Sequence, residues 1–141
     1  MAYRIDYVIT ACQFNIYESQ DISKQLKALL GAKIECMRKW IWFGNCENWE
    51  ELDSKLFLLS KKFPKLLFSV SFFGQDRNDI WQEYWENGSS QMCVMEMTPY
   101  DKNKMIPYEL IDGKLTALLP DKLNDQKQEI RDARSRTESP Q

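Results

Sequence analysis

Apolar and polar positions alternate from the start of the chain. Tyr3, Ile5, Tyr7 and Ile9 form one row against Arg4, Asp6, Val8 and Thr10, which predicts a strand with one aromatic-aliphatic face. Residues 12–20 follow no clear period. From Asp21 to Leu30 the spacing becomes helical, with Ile22, Leu26, Leu29 and Leu30 on one face and Lys24 and Lys27 off it. Gly31 stands where a left-handed residue closes a helix. Ile34 to Phe43, carrying Met37, Trp40, Ile41 and Trp42, reads as a second strand, and Gly44-Asn45 as a turn.

The stretch from Asn48 to Pro99 is the most strongly patterned. Asn48 is a good N-cap, Glu51 completes an Asn variant of the capping box, and Leu52, Leu56, Leu59 and Phe63 mark one helical face. Pro64 ends that helix, because the residue before a proline is pushed out of the helical region. Leu66, Phe68, Val70 and Phe72 then alternate with Leu67, Ser69, Ser71 and Phe73, the signature of a strand. After the polar turn at 74–79, Ile80–Glu86 and Gln91–Met97 read as two strands joined across Asn87-Gly88-Ser89-Ser90, where Asn-Gly is a strong hairpin signal. Beyond Pro99, Tyr108 to Ile111 and Leu115 to Leu119 flank Asp112-Gly113 as a smaller peripheral hairpin.

This order predicts an α+β fold: a ferredoxin-like antiparallel sheet with two helices on one face, plus a C-terminal extension. Residues 1–120 would form a single domain. Residues 121–141 are charged and short of large apolar side chains, a tail expected to be partly helical or disordered, with disorder over Ser135–Gln141.

Composition narrows the function classes. The 141 residues are 43% hydrophobic and 13% aromatic, which is globular rather than disordered. Nineteen basic and 21 acidic residues leave a net charge of −2, with no overall bias toward nucleic acid or an anionic membrane. Apolar runs are too short for a membrane span and no signal peptide opens the chain, so a cytoplasmic location is expected. Cys12, Cys36, Cys46 and Cys93 form no CxxC pair and are expected to be reduced. Histidine is absent, which removes the commonest general base and metal ligand. Glycines are isolated, so no phosphate loop is present, and no Gly-x-Ser-x-Gly elbow appears. These features point away from an enzyme and predict neither a cofactor nor a metal.

A Trp-led helix, the run Ser60-Lys61-Lys62-Phe63-Pro64-Lys65-Leu66-Leu67-Phe68, the turn Gly74-Gln75-Asp76 and Trp85-Glu86-Asn87-Gly88 resemble the YubB-type ferredoxin-like domain of small phage and plasmid proteins. The resemblance runs from Trp49 through Glu96, about a third of the chain. It implies a ferredoxin-like fold and an accessory role in a mobile element, with no chemistry to carry over. The cysteines, the tail and the missing histidines are not explained by it.

Candidate chemistry centres on the hairpin. Asp76, Asp79, Glu83, Glu86, Glu96 and Asp101 stand against one base, Arg77. A carboxylate pair for acid-base work competes here with a solvated acidic edge that discourages pairing with other sheets. A third reading carries further. Trp81 and Trp85 share one strand face with Glu83 between them, so an acidic, aromatic surface of Asp76, Asp79, Trp81, Glu83, Trp85 and Glu86 would bind another protein. With the resemblance, that suggests an inhibitor occluding a host nuclease or defence factor. The alternative is RNA or single-stranded DNA bound on the open sheet face by Trp40 and Trp42 with Arg38 and Lys39. A homodimer through open sheet faces would cover the same tryptophans.

Overall fold

The computed structural model describes residues 4–12, 16–30, 35–38, 41–75, 80–93 and 99–138. Among the described residues eight strands and three α-helices follow one another as β1 (Ile5–Cys12), α1 (Ile16–Leu30), β2 (Glu35–Arg38), β3 (Ile41–Cys46), α2 (Trp49–Lys62), β4 (Leu67–Phe73), β5 (Ile80–Glu86), β6 (Ser89–Cys93), β7 (Ile106–Ile111), β8 (Lys114–Ala117) and α3 (Pro120–Glu138). Every strand pairing is antiparallel, in the order β2-β3-β1-β4-β5-β6-β7-β8. The fold is therefore α+β, built on an antiparallel sheet.

Alternation along the strands sorts the sheet into two faces. Ile5, Tyr7, Ile9 and Ala11 of β1 and Phe68, Val70 and Phe72 of β4 are buried and join a single core with Ile22 and Leu26 of α1 and Leu52, Leu56, Phe57 and Leu59 of α2. Fully burying a side chain of this size contributes about 1.5–3 kcal/mol, so this face dominates the stability. Trp42 belongs to it as well, opposite Ile9 and 1% exposed, and its indole Nε1 donates to Ser23 Oγ of α1 at 2.7 Å.

Local chemistry sets the ends of the elements. Asn48 Oδ1 accepts from the backbone N–H of Glu50 at 3.1 Å and of Glu51 at 3.3 Å, fixing the start of α2. Instead of reaching back to the cap, the Glu51 carboxylate lies 3.4 Å from Lys55 Nζ. Phe63, ahead of Pro64, leaves the helical region at φ −121°, ψ 71°. Both short hairpins turn on two left-handed residues, Asn87 (φ 43°) with Gly88 (φ 79°) and Asp112 (φ 52°) with Gly113 (φ 78°), the geometry that matches strand twist.

Five expectations change, the first being the turn at Gly44-Asn45, which β3 runs through with Gly44 opposite Tyr7 and Asn45 opposite Asp6. The single strand expected over Ile34–Phe43 is the hairpin β2–β3, with Arg38 opposite Ile41 and Cys36 opposite Trp42. The first helix begins at Ile16 rather than Asp21. The β5–β6 turn is Asn87-Gly88 alone, since Ser89 and Ser90 already pair with Glu86 and Trp85. The charged tail is helical through Glu138, so the disorder expected from Ser135 is not observed up to that point.

α3 is held by polar side chains. Gln126 Oε1 accepts from the Met92 N–H at 3.3 Å, Gln126 Nε2 donates to the Lys104 carbonyl, and Lys122 Nζ donates to the Met105 carbonyl at 2.9 Å. β7 pairs with β6 only at Ser89 and Ser90, so Gln126 serves β6 where the strand ladder has ended. Among the described residues no helix is long and apolar enough to cross a membrane.

Candidate functional site

The hairpin β5–β6 positions its flagged residues by register. Phe72 lies opposite Trp81, Val70 opposite Glu83 and Phe68 opposite Trp85, which places Trp81, Glu83 and Trp85 on the helix-covered face. This corrects the expectation of an exposed acidic, aromatic surface. Glu83 and Trp85 are each 1% exposed, and Trp81 is half-buried, stacked on Phe72 with ring centroids 4.6 Å apart and planes 8° from parallel. The physical reason is local supply of donors: Trp85 Nε1 donates to Glu83 Oε1 at 2.9 Å and Trp81 Nε1 to Glu83 Oε2 at 3.2 Å. A carboxyl group so served can enter a core that would otherwise exclude it.

Glu86 points to the other face, half-buried, and accepts from Tyr100 Oη at 3.0 Å. Asp76 and Asp79 lie outside the described residues, as do Lys39 and Trp40 of the alternative face. Of Arg38 only the backbone is described. Trp42 is corrected too. It sits under α1 and has no surface to offer a base.

The structure adds Asp53, which pattern reading passed over as one charge in the first half of a charged helix. Asp53 is buried on α2 and hydrogen-bonded to Glu83. Burial first, then the neighbouring Glu83, pushes its carboxyl well above the ordinary range. A neighbouring carboxylate in a core thus favours the protonated, neutral form of Asp53. Tyr108 of β7 is nearby, its phenol pushed up by burial and by the Glu83 and Asp53 charges. Burial likewise raises the thiol of Cys46, with Asp6 and Glu51 adding to it. Cys46 and Cys93 are both free.

Above this pair lies an open cleft of about 790 Å³ between α2, the β7–β8 hairpin and α3, with Asp53 and Tyr108 among its lining residues. Among the described residues no group of three or more Cys, Asp or Glu side chains is arranged to hold a metal ion.

The second sheet face is different in kind. Tyr84 and Cys93 are covered there by Met105 and Tyr100, the two tyrosine rings meeting edge to face at 5.7 Å. On one side of this cover, Val8 lies opposite Phe43, Thr10 opposite Ile41 and Phe73 opposite Ile80, all half-buried. On the other side, Ile111 and Leu118 are each 47% exposed. No family model, curated protein or solved structure matches the chain.

Proposed function

We propose that this chain is a non-enzymatic binding module of ferredoxin-like architecture that engages another protein through the sheet face opposite α1 and α2. The order β2-β3-β1-β4, with α1 and α2 packed in one core against it, supports the ferredoxin-like assignment, and β5 to β8 extend that sheet. The observation that carries the function is the row of apolar side chains that this face leaves only half-buried, Val8, Ile41, Phe43, Phe73 and Ile80, with Ile111 and Leu118 exposed beyond.

Charge favours a protein over nucleic acid. Asp6, Glu86 and Glu109 stand on the same face, and Arg4 is paired with Asp6 at 3.1 Å. The partner that fits presents an apolar surface with a basic rim. The resemblance of Trp49–Glu96 to YubB-type domains supports a mobile-element accessory role, in which that partner is a host nuclease or defence factor.

The test compares wild type with Phe43→Arg/Phe73→Arg as bait in nuclease-treated lysate, with thermal melts showing that both are folded. A discrete protein retained by wild type and lost by the variant supports the reading. Retention by both refutes the face, recovery of nucleic acid before nuclease treatment favours the stacking alternative, and self-association lost in the variant makes the occupant a second copy.

A further inference from the structure

Among the described residues neither Asp53 nor Glu83 forms an ion pair with a cation. Glu83 receives two indole N–H groups, yet Asp53 Oδ1 has no hydrogen-bond partner among the described residues although Asp53 is only 8% exposed. The charges acting on Asp53 are Glu83 from β5, Cys46 from β3 and Glu50 from its own helix, all of which oppose its ionisation. Lys55, two residues along the helix, is paired with Glu51 instead. Tyr108 of β7 faces the pair as a neutral phenol, and Lys114 of β8 and Lys127 of α3 line the cleft walls without an ion pair to Asp53.

Asp53 is among the residues that line the cleft, and its buried Oδ1 is reached from there as the side chain turns outward. The cleft wall adds apolar surface from Met92, Leu115 and Leu123. The helix start beside it is not an anion site, because Asn48 already occupies the N–H groups of Glu50 and Glu51.

We infer that the cleft between α2, the β7–β8 hairpin and α3 binds a primary ammonium group on an apolar stem, with the ammonium on Asp53 above Glu83 and the stem against Met92, Leu115 and Leu123. The ammonium supplies the donor that Asp53 Oδ1 lacks and the positive charge that the pair otherwise takes from a proton. Binding then exchanges one cation for one proton. The same chemistry is offered by a free alkylamine and by the lysine side chain of a peptide.

Isothermal titration of the full chain with hexylammonium chloride and with N-acetyl-lysinamide separates those sources, with sodium hexanoate as the anionic counterpart. Saturable binding of at least one amine is expected, with a heat that depends on the ionisation enthalpy of the buffer. Its affinity rises with pH, by up to about tenfold per unit while one proton is displaced per ligand. Asp53→Asn removes the group that ionises and is expected to weaken binding by more than about tenfold, a loss of about 1.4 kcal/mol or more, and to flatten the pH profile. Glu83→Gln provides the same check from the sheet side, and thermal melts establish that both variants are folded. Failure of both amines to bind, equal affinity for folded Asp53→Asn, or binding of hexanoate in their place overturns the assignment.

Discussion

Trp85 Nε1 donates to Glu83 Oε1 at 2.9 Å, and each of the two residues is 1% exposed. A side chain that looks destined for water is thus built into the helix-covered face by the tryptophans on either side of it. Trp85→Phe keeps most of the ring and removes the donor, and is expected to cost about 1–3 kcal/mol for the weakened Glu83 contact. Trp85→Ala empties the site and is expected to cost about 3–5 kcal/mol. Urea denaturation of both variants measures the two losses.

Asp53 makes stability depend on pH in an unusual direction. Its carboxyl is raised in the folded chain above the ordinary value of 3.8, so the native state binds more protons than the unfolded chain between the two values. The contribution of the Asp53 proton is complete below the ordinary value and is lost as pH rises through the raised one. Denaturation midpoints of wild type and Asp53→Asn across that window check this. The contribution of the pair falls with rising pH in wild type, and the asparagine variant has a flatter profile.

The two turn glycines separate backbone strain from packing. Gly88 and Gly113 have nearly the same φ, 79° and 78°. A Cβ at Gly88 would lie 2.8 Å from Lys61 Cδ and 3.2 Å from Phe57 Cε1, whereas at Gly113 nothing lies within 4 Å. Gly88 also donates its N–H to Ser60 Oγ at 2.9 Å and accepts from the Tyr108 N–H at 2.9 Å. Gly113→Ala is expected to cost about 1–2 kcal/mol from left-handed geometry alone. Gly88→Ala should cost more, because the Lys61 side chain and the Phe57 ring must also give way. Paired thermal melts of the two variants give the comparison.

Gln126 joins α3 to β6 through the Met92 N–H and to the Lys104 carbonyl. Gln126→Ala leaves the Met92 amide without its acceptor, at a cost of about 1–3 kcal/mol. Hydrogen exchange should quicken at Met92 and through α3, while the amides of β1 and β4 keep their protection.

Much of this fold was legible in the residues. The Asn48 cap, the Phe63-Pro64 stop, the two hairpin turns and the buried row Leu66-Phe68-Val70-Phe72 each rest on local chemistry that acts within a few residues. The β2–β3 hairpin was hidden because the run from Ile34 to Phe43 contains no glycine, proline or asparagine to mark a reversal. The site was less legible. Period-two spacing correctly grouped Trp81, Glu83 and Trp85, but which face they take depends on the pairing of β5 with β4, a contact between strands. Asp53 carried no local mark of burial, since only the approach of α2 to β5 brings it to Glu83.

The proposed binding face is tested most directly by hydroxyl-radical footprinting of the chain alone and in complex with a protein that it captures. Protection of Phe43, Phe73 and Ile80, with Trp81 and Trp85 unchanged, is the expected result. Protection of Trp81 with no change at Phe43 and Phe73 would contradict it and return recognition to the β5–β6 hairpin.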